Sequence, residues 1–169
     1  TTQKYHIRRV VNKGYTSSSA IDNAYQRVLE AAKAGQFTTL LYFGDHDPSG
    51  LDMVRDIKDR LFFMLRNGEY ELNPEKFLQI IPIGLTMSQI TKYKLPPNPT
   101  KLTDSRSEKY IHQFGKTCWE VDALKPQILT ALVEKNILQH LDIDIFNDVM
   151  KKEEKDIIEW NKLIKKYKK

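Results

Sequence analysis

A short run of β-forming residues, Thr39–Phe43, constrains the fold more than any other part of the sequence, because it ends abruptly at Gly44 and an acidic turn follows. The run is too short for a buried helix and does not alternate with charged residues, so it predicts a strand buried on both faces. Asp45 and Asp47 come directly after it. Because ligands of open α/β sheets bind at the carboxyl ends of the strands, this turn is the first candidate site.

The spacing of the two aspartates predicts that their side chains project from the same side of the chain. Alternate residues of an extended segment point the same way, so Asp45 and Asp47 are expected to project together while His46 faces away. A bound Mg²⁺ ion, or Mn²⁺, would offset their mutual repulsion, since Mg²⁺ is typically held by one or two carboxylates and substrate phosphates. The alternative is that Asp47 or Ser49 caps the following helix, a role that both residue types favour.

Strands and amphipathic helices alternate along the first half of the chain. The predicted helices cover about Ala20–Lys33 and Leu51–Leu65, and further strands are predicted over Ile7–Val11 and Phe77–Thr86. This alternation predicts an α/β fold with a mainly parallel central sheet flanked by helices on both faces. A long amphipathic helix is predicted at the C-terminal end, over about Ile143–Tyr167.

The segment GDHDPSG after an apolar strand resembles the Asp-x-Asp signature of the Toprim domain, the metal-binding module of topoisomerases, bacterial primases and some nucleases. The pattern is most similar to that of the topoisomerase VI A subunit and its meiotic double-strand-break relative, in which a strand leads into a Lys-Gly-Tyr turn, here Lys13 to Tyr15. The resemblance covers Ile7–Leu65. It implies a Rossmann-like sheet, Mg²⁺ held by Asp45 and Asp47 as catalytic residues, and nuclease-type or topoisomerase-type chemistry on nucleic acid, with DNA the expected partner.

One part of the Toprim pattern is missing. The family carries a catalytic glutamate at the end of the first sheet strand, upstream of the Lys-Gly-Tyr segment, whereas the first acidic residue here is Asp22. We expect the chain to be part of a larger protein whose preceding segment supplies that strand, so that these residues alone lack part of the catalytic set. The alternative is that the protein never had this glutamate. The tyrosine nucleophile of topoisomerases comes from a winged-helix domain, and nothing in this sequence is similar to that domain.

Four residues are candidates for substrate binding. The resemblance implies that Lys13 faces a phosphate at the same sheet edge, and Ser49 lies beside the aspartates. A proline-rich stretch, residues 93–107, gathers basic residues, and we hypothesise that Lys101 and Arg106 contact the nucleic-acid backbone. The alternatives are a solvent-exposed lysine at position 13 and a plain surface connection over residues 93–107.

A second pair of acids follows another apolar run. Residues 118–124, CWEVDAL, have strand character, which would place Glu120 and Asp122 on a common side. Glu120 could then supply an additional catalytic ligand or substitute for the missing glutamate. The alternative is that Asp122 caps the helix starting near Lys125 while Glu120 pairs with a basic side chain.

The length and composition of the chain limit the number of domains that it can form. With 169 residues and 40% apolar content the chain can build one core of ordinary size. We expect a Toprim-like domain over residues 1–140 and an amphipathic helix with a lysine-rich end over residues 141–169. That helix could pack on its own domain or on a second subunit of a homo-oligomer. The net charge of +5 is mostly a property of this end, since from Lys151 onward eight lysines face four acids.

Features that the sequence lacks limit the compartment and the partners that we expect for this protein. The single cysteine, Cys118, suits a reducing compartment such as the cytoplasm, including a nucleoid-associated location. No run of 18 apolar residues is present, so we expect no membrane partner. Two further functions remain open: a non-catalytic nucleic-acid-binding or scaffolding domain with a vestigial metal site, and an enzyme acting on small phosphate esters.

Overall fold

A computed structural model describes residues 1–11, 15–100 and 106–167 and has the predicted α/β composition. Single 3₁₀ turns lie at Thr2–Tyr5, Pro74–Lys76 and Val121–Ala123. In chain order the α-helices and β-strands are α1 (Ser18–Lys33), β1 (Thr38–Phe43), α2 (Pro48–Asn67), β2 (Leu78–Gly84), α3 (Met87–Tyr93), β3 (Asn98–Pro99), α4 (Ser107–Phe114), β4 (Thr117–Cys118), α5 (Pro126–His140) and α6 (Ile143–Tyr167).

The first helix begins and ends where its sequence predicts. Ser17 is the N-cap of α1, and its hydroxyl accepts a hydrogen bond from the amide of Ala20 at 3.2 Å. At the other end Gly35 adopts a positive φ of 71°, a conformation that glycine reaches without steric cost. The buried face of α1 is apolar. Predicted helix and observed helix therefore agree to within a few residues.

Strands β1 and β2 form a parallel pair, as the alternating pattern predicts. Their register pairs Thr38 with Leu78 and Tyr42 with Pro82, and it shifts by one residue after Tyr42. Pairing continues past the strands, because the amide of Leu85 donates to the carbonyl oxygen of Gly44 at 2.6 Å. The parallel pairing brings the carboxyl ends of both strands to one edge, beside the acidic turn.

Two apolar cores lie beside this strand pair. The first joins α1, α2 and β2 and includes the fully buried Leu61; its buried members are Ile21, Tyr25, Val28, Leu29, Ile57, Leu61, Leu65 and Leu78. The second lies near the carboxyl ends of the strands and around Trp119; its buried members are Leu85, Ile90, Leu95, Trp119 and Leu124. The acidic turn is thus attached to a packed core.

The sheet is smaller than predicted in the part of the chain that the structure describes. There, β1 and β2 form one two-stranded sheet, and β3 and β4 form a separate antiparallel one. The strand predicted over Ile7–Val11 is wrong: these residues form no strand, and Val11 is 71% exposed. β-forming residues need a neighbouring strand to pair with, and Ile7–Val11 has none among the residues that the structure describes.

The strand predicted over residues 118–124 is also mostly wrong. Strand β4 ends at Cys118, and after a single bridge at Trp119 the chain turns through the 3₁₀ helix Val121–Ala123. The amide of Leu124 donates to the carbonyl oxygen of Val121 at 2.9 Å, which closes that turn. A tight turn removes the alternation of side chains on which the shared side of Glu120 and Asp122 depended.

The chain divides into two compact units, Thr1–Val133 and Glu134–Lys169, and the boundary falls within α5. The second unit contains the long C-terminal helix that the sequence predicts, α6, none of whose residues is buried. The predicted division into residues 1–140 and 141–169 stays a prediction. Among the described residues no helix is both long and apolar enough to cross a membrane.

Candidate functional site

The turn between β1 and α2 is fixed by backbone hydrogen bonds on two sides. The amide of Gly44 donates to the carbonyl oxygen of Gly84 at 2.9 Å, on the β2 side. Two residues later, His46 forms an isolated antiparallel bridge with Trp119, with N···O distances of 2.8 and 3.0 Å. The backbone that carries Asp45 and Asp47 is therefore held between β2 and the segment around Trp119.

Asp47 is the N-cap of α2, which is the alternative that its sequence position allowed. Its Oδ1 accepts hydrogen bonds from the amide of Gly50 at 2.5 Å and from the hydroxyl of Ser49 at 2.9 Å. Pro48 occupies the first helical turn, where its missing amide costs nothing. The hydroxyl of Ser49, a predicted substrate-binding residue, thus donates to Asp47 and orients its carboxylate.

Gly50 allows the turn to close tightly. A Cβ atom at this position would collide with the carbonyl oxygen of Asp45 and would lie 3.1 Å from Oδ1 of Asp47. Only a residue without a side chain permits the backbone of α2 to approach the end of β1 so closely. The close approach fixes the two aspartates relative to each other.

Asp45 is half-buried, and described protein groups form a hydrogen bond with only one of its two carboxylate oxygens. Its Oδ1 accepts a hydrogen bond from the amide of Val121 at 2.7 Å. Within residues 1–11, 15–100 and 106–167, its Oδ2 has no hydrogen-bond partner, and neither Asp45 nor Asp47 forms an ion pair. Among the described residues, no basic side chain therefore neutralises either carboxylate.

Tyr42 lies near both carboxylates of the turn. Burial raises the pKa of its phenol to about 12, and the negative charges of Asp45 and Asp47 add to the shift. A phenol with such a pKa keeps its proton at neutral pH and remains a hydrogen-bond donor. Its ring lies against Gly44, at the start of the acidic turn.

His46 faces away from the aspartates, as the alternation of an extended segment predicts. Its side chain is 3% exposed and lies among the rings of Tyr110, Phe114 and Trp119, with centroid distances of 4.7 to 5.9 Å. Burial lowers its pKa below the ordinary value, although a backbone hydrogen bond and the charge of Asp47 oppose this. His46 is consequently a neutral core residue and not a ligand of the acidic site.

In the described part of the chain, no third acidic ligand is gathered around the pair. Glu120 is exposed and precedes the 3₁₀ turn that carries Asp122. Among the described residues, no three His, Cys, Asp or Glu side chains form a group able to hold a metal ion. The predicted role of Glu120 as an additional ligand thus gains no support from its position.

Arg106 is tied to a neighbouring acidic residue. Its guanidinium lies 3.5 Å from Oδ2 of Asp52 and contacts the hydroxyl of Tyr15, and it stacks over the Tyr15 ring at 5.2 Å. Tyr15 in turn donates to Asp52 at 2.5 Å. This network joins α4 and α2 to the end of the predicted Lys-Gly-Tyr turn.

Two predicted residues, Lys13 and Lys101, lie outside the described residues. Three contributors to the site were missed by sequence reasoning: Tyr42, Tyr110 and the backbone amide of Val121. Tyr42 belongs to the strand that leads to the aspartates, so a polar residue there was a usable signal. Tyr110 and Val121 are far from the turn in sequence and approach it only in the folded chain, so no local sequence pattern indicated them.

Comparison with known proteins found no matching family model, no matching curated protein and no matching solved structure. The resemblance to Toprim domains therefore depends on the ordered motif in Ile7–Leu65 alone.

Proposed function

We propose that this chain is a Toprim-like domain that binds Mg²⁺ and acts on nucleic-acid phosphodiesters within a larger protein. The observation that carries the proposal is the pair Asp45 and Asp47 at the carboxyl end of a parallel strand, with no described basic side chain to balance them. On this proposal β1 and β2 are two neighbouring strands of a larger sheet flanked by helices on both faces. The parent chain supplies the missing strand and its glutamate.

The oxygen donors of the turn fit a hard cation of this kind. Oδ2 of Asp45 is open among the described residues, and a carboxylate offers about four lone-pair positions, so the cap bonds of Asp47 do not exhaust it. Mg²⁺ usually keeps several waters and takes only one or two protein carboxylates, and Mn²⁺ is an alternative ion. When bound, such an ion would neutralise phosphate charge and stabilise a developing alkoxide.

The protein groups around the pair have supporting roles. Gly50 and the amide of Val121 fix the two carboxylates, and the phenol of Tyr42 stays protonated beside them. The N-terminus of the twenty-residue helix α2 opens at the same place and favours negative charge. A phosphate would thus meet a helix dipole and a phenolic donor. Lys13, Lys101 and Arg106 remain the proposed contacts to the rest of the nucleic acid, in the cytoplasm or on the nucleoid.

Calorimetric titration with Mg²⁺ and Mn²⁺ tests the metal site. We expect wild-type protein to bind either ion and the double variant Asp45→Asn with Asp47→Asn to bind neither. Asn retains the shape of Asp and its capping oxygen, so the fold is preserved. The matched control is Asp59→Asn, which removes an exposed carboxylate from the same helix α2 and should leave metal binding unchanged. Equal affinity in wild type and double variant would refute the metal site.

A second candidate is a nucleic-acid-binding or scaffolding domain with a vestigial metal site. The absence of a three-ligand group among the described residues and the capping role of Asp47 both favour it. Fluorescence anisotropy with labelled single-stranded and double-stranded DNA and RNA separates the two. The first proposal expects binding that increases with Mg²⁺ and is lost in the double variant. The second expects binding that neither Mg²⁺ nor the double substitution alters.

A further inference from the structure

The hydroxyl of Tyr42 lies beside the acidic turn and has no hydrogen-bond partner among the described residues. The side chain is half-buried and lies near both Asp45 and Asp47. A polar atom that is fully enclosed without a partner is costly, and in the described part of the chain only Oγ1 of Thr100 is such an atom. The hydroxyl oxygen of Tyr42 is therefore not enclosed, and a ligand in solution can contact it.

Gly44, the residue that follows β1, leaves room for this phenol. A Cβ atom at position 44 would collide with the hydroxyl and the ring of Tyr42. The two residues are alternate positions of an extended segment, so they project to the same side, and a side chain on residue 44 would displace the ring. Because glycine stands there, the hydroxyl of Tyr42 lies over the end of the strand, where the acidic turn begins.

The phenol belongs to one face of the strand pair. Tyr42 packs against the first core, which joins α1, α2 and β2, whereas its neighbour Phe43 packs against the second core. This is the alternation expected of a strand whose successive side chains point to opposite faces. A ligand of the Tyr42 hydroxyl would therefore approach the turn from the α1 and α2 side of β1.

The neighbouring donors at the turn are already engaged by the carboxylates. The hydroxyl of Ser49 donates to Asp47, and the amide of Val121 donates to Asp45. These bonds orient the two acids and leave neither proton for a ligand. The hydroxyl of Tyr42 differs from both, because its proton is not donated to any described residue. An anionic acceptor at the turn would find this proton available.

We propose that the hydroxyl of Tyr42 donates a hydrogen bond to a non-bridging phosphate oxygen of the nucleic acid, on the α1 and α2 side of β1. This inference rests on the proposed function and divides its site into two parts. The carboxylates of Asp45 and Asp47 hold the metal ion, and the phenol holds the substrate. Hydrogen bonds to an ionised acceptor such as phosphate are stronger than those between neutral groups. Tyr42 thus sets the affinity for nucleic acid and leaves the affinity for the metal unchanged.

The variant Tyr42→Phe tests this division, because it keeps the ring over Gly44 and removes only the hydroxyl. We expect it to bind a labelled DNA oligonucleotide about 10-fold more weakly in the presence of Mg²⁺, measured by fluorescence anisotropy. Its affinity for Mg²⁺ by calorimetry and its stability to urea should not change, since no described hydrogen bond is lost. The control is Tyr25→Phe, the same substitution in the same core, whose hydroxyl lies near Gly68 at the other end of α2.

Oligonucleotides with a single methylphosphonate linkage locate the contact, because this group lacks the anionic oxygen of a phosphate. At one linkage the replacement should cost the wild-type chain about 10-fold more affinity than it costs Tyr42→Phe. Equal DNA affinity in the wild type and Tyr42→Phe would overturn this inference alone, and so would weaker Mg²⁺ binding by the variant. A wild-type chain that binds Mg²⁺ but no oligonucleotide would overturn it together with the nucleic-acid part of the proposed function.

Discussion

Tyr110 fixes the orientation of His46, because its phenol oxygen lies 2.9 Å from Nδ1 of that histidine and 2.8 Å from its carbonyl oxygen. The phenol also lies 3.0 Å from the carbonyl oxygen of Thr117. A carbonyl only accepts and a phenol has one proton to donate, so Nδ1 carries the proton and donates to Tyr110. This contact attaches α4 to the turn that carries Asp45 and Asp47.

We expect Tyr110→Phe to lower the free energy of unfolding by about 1–3 kcal/mol, because it leaves Nδ1 of His46 without its partner in a buried site. Urea denaturation followed by circular dichroism measures the change. The control is Tyr93→Phe, since the hydroxyl of Tyr93 has no hydrogen bond to any described residue and its ring contact with Lys92 is kept. Equal losses in the two variants would contradict a specific role for the Tyr110 hydroxyl.

His46 should make stability depend on pH. Burial lowers its pKa in the folded chain below the ordinary value of 6.5, so between the two values the unfolded chain binds the proton and the folded chain does not. The contribution of His46 is therefore complete above about pH 6.5 and is lost as the pH falls through the folded pKa.

The measurement is the free energy of unfolding at several pH values between about 5 and 8. We expect His46→Gln to flatten the dependence below about pH 6.5, whatever its own stability, because the slope and not the absolute value reports proton binding. Parallel slopes in wild type and variant would show that the imidazole of His46 does not set the dependence.

Local signals were sufficient to predict much of the first 100 residues. The apolar run Thr39–Phe43 and the amphipathic spacing of Ala20–Lys33 are both local patterns, and the structure bears them out in β1 and α1. The two possible roles of Asp47 were both visible, and the capping role is observed. Sequence reasoning works for the helices because their caps and ends depend on short-range hydrogen bonds, and it works for β1 because an apolar run marks a buried strand before its partner is known.

Contacts between distant segments decided the rest. The bond between His46 and Tyr110 joins residues 64 positions apart, and the amide of Val121 reaches Asp45 across 76 positions. Neither leaves a pattern in the sequence. Ile7–Val11 shows the converse, since a segment rich in β-formers forms no strand here without a strand to pair with.

The cap and the charge of Asp47 can be separated by substitution. We expect Asp47→Ala to cost about 1 kcal/mol of stability, because the amide of Gly50 and the hydroxyl of Ser49 lose their acceptor. Asp47→Asn keeps a capping oxygen and should cost less. Thermal and urea denaturation measure both. If Asn and Ala cost the same, the charge of Asp47 and not its capping geometry stabilises α2.

The pair formed by Arg106 and Asp52 predicts a competition that bears on nucleic-acid binding. Arg55 contributes most to lowering the pKa of Asp52 to about 2, with Tyr15 and Arg106 adding to the shift, so Asp52 remains ionised at any neutral pH. This carboxylate attracts the guanidinium of Arg106 and would oppose its contact with a phosphate. Removing the carboxylate should therefore favour the phosphate.

We expect Asp52→Asn to tighten binding to a labelled DNA oligonucleotide and Arg106→Gln to weaken it and reduce its salt dependence. Arg55→Gln is the control, because it removes another partner of Asp52 at a side chain that is 60% exposed and leaves Arg106 unchanged. A double-mutant cycle between Asp52 and Arg106 should give a coupling of about 0.5–1 kcal/mol in stability. If Arg106→Gln lowers stability but leaves DNA binding unchanged, Arg106 serves to join α4 to α2 and does not contact nucleic acid.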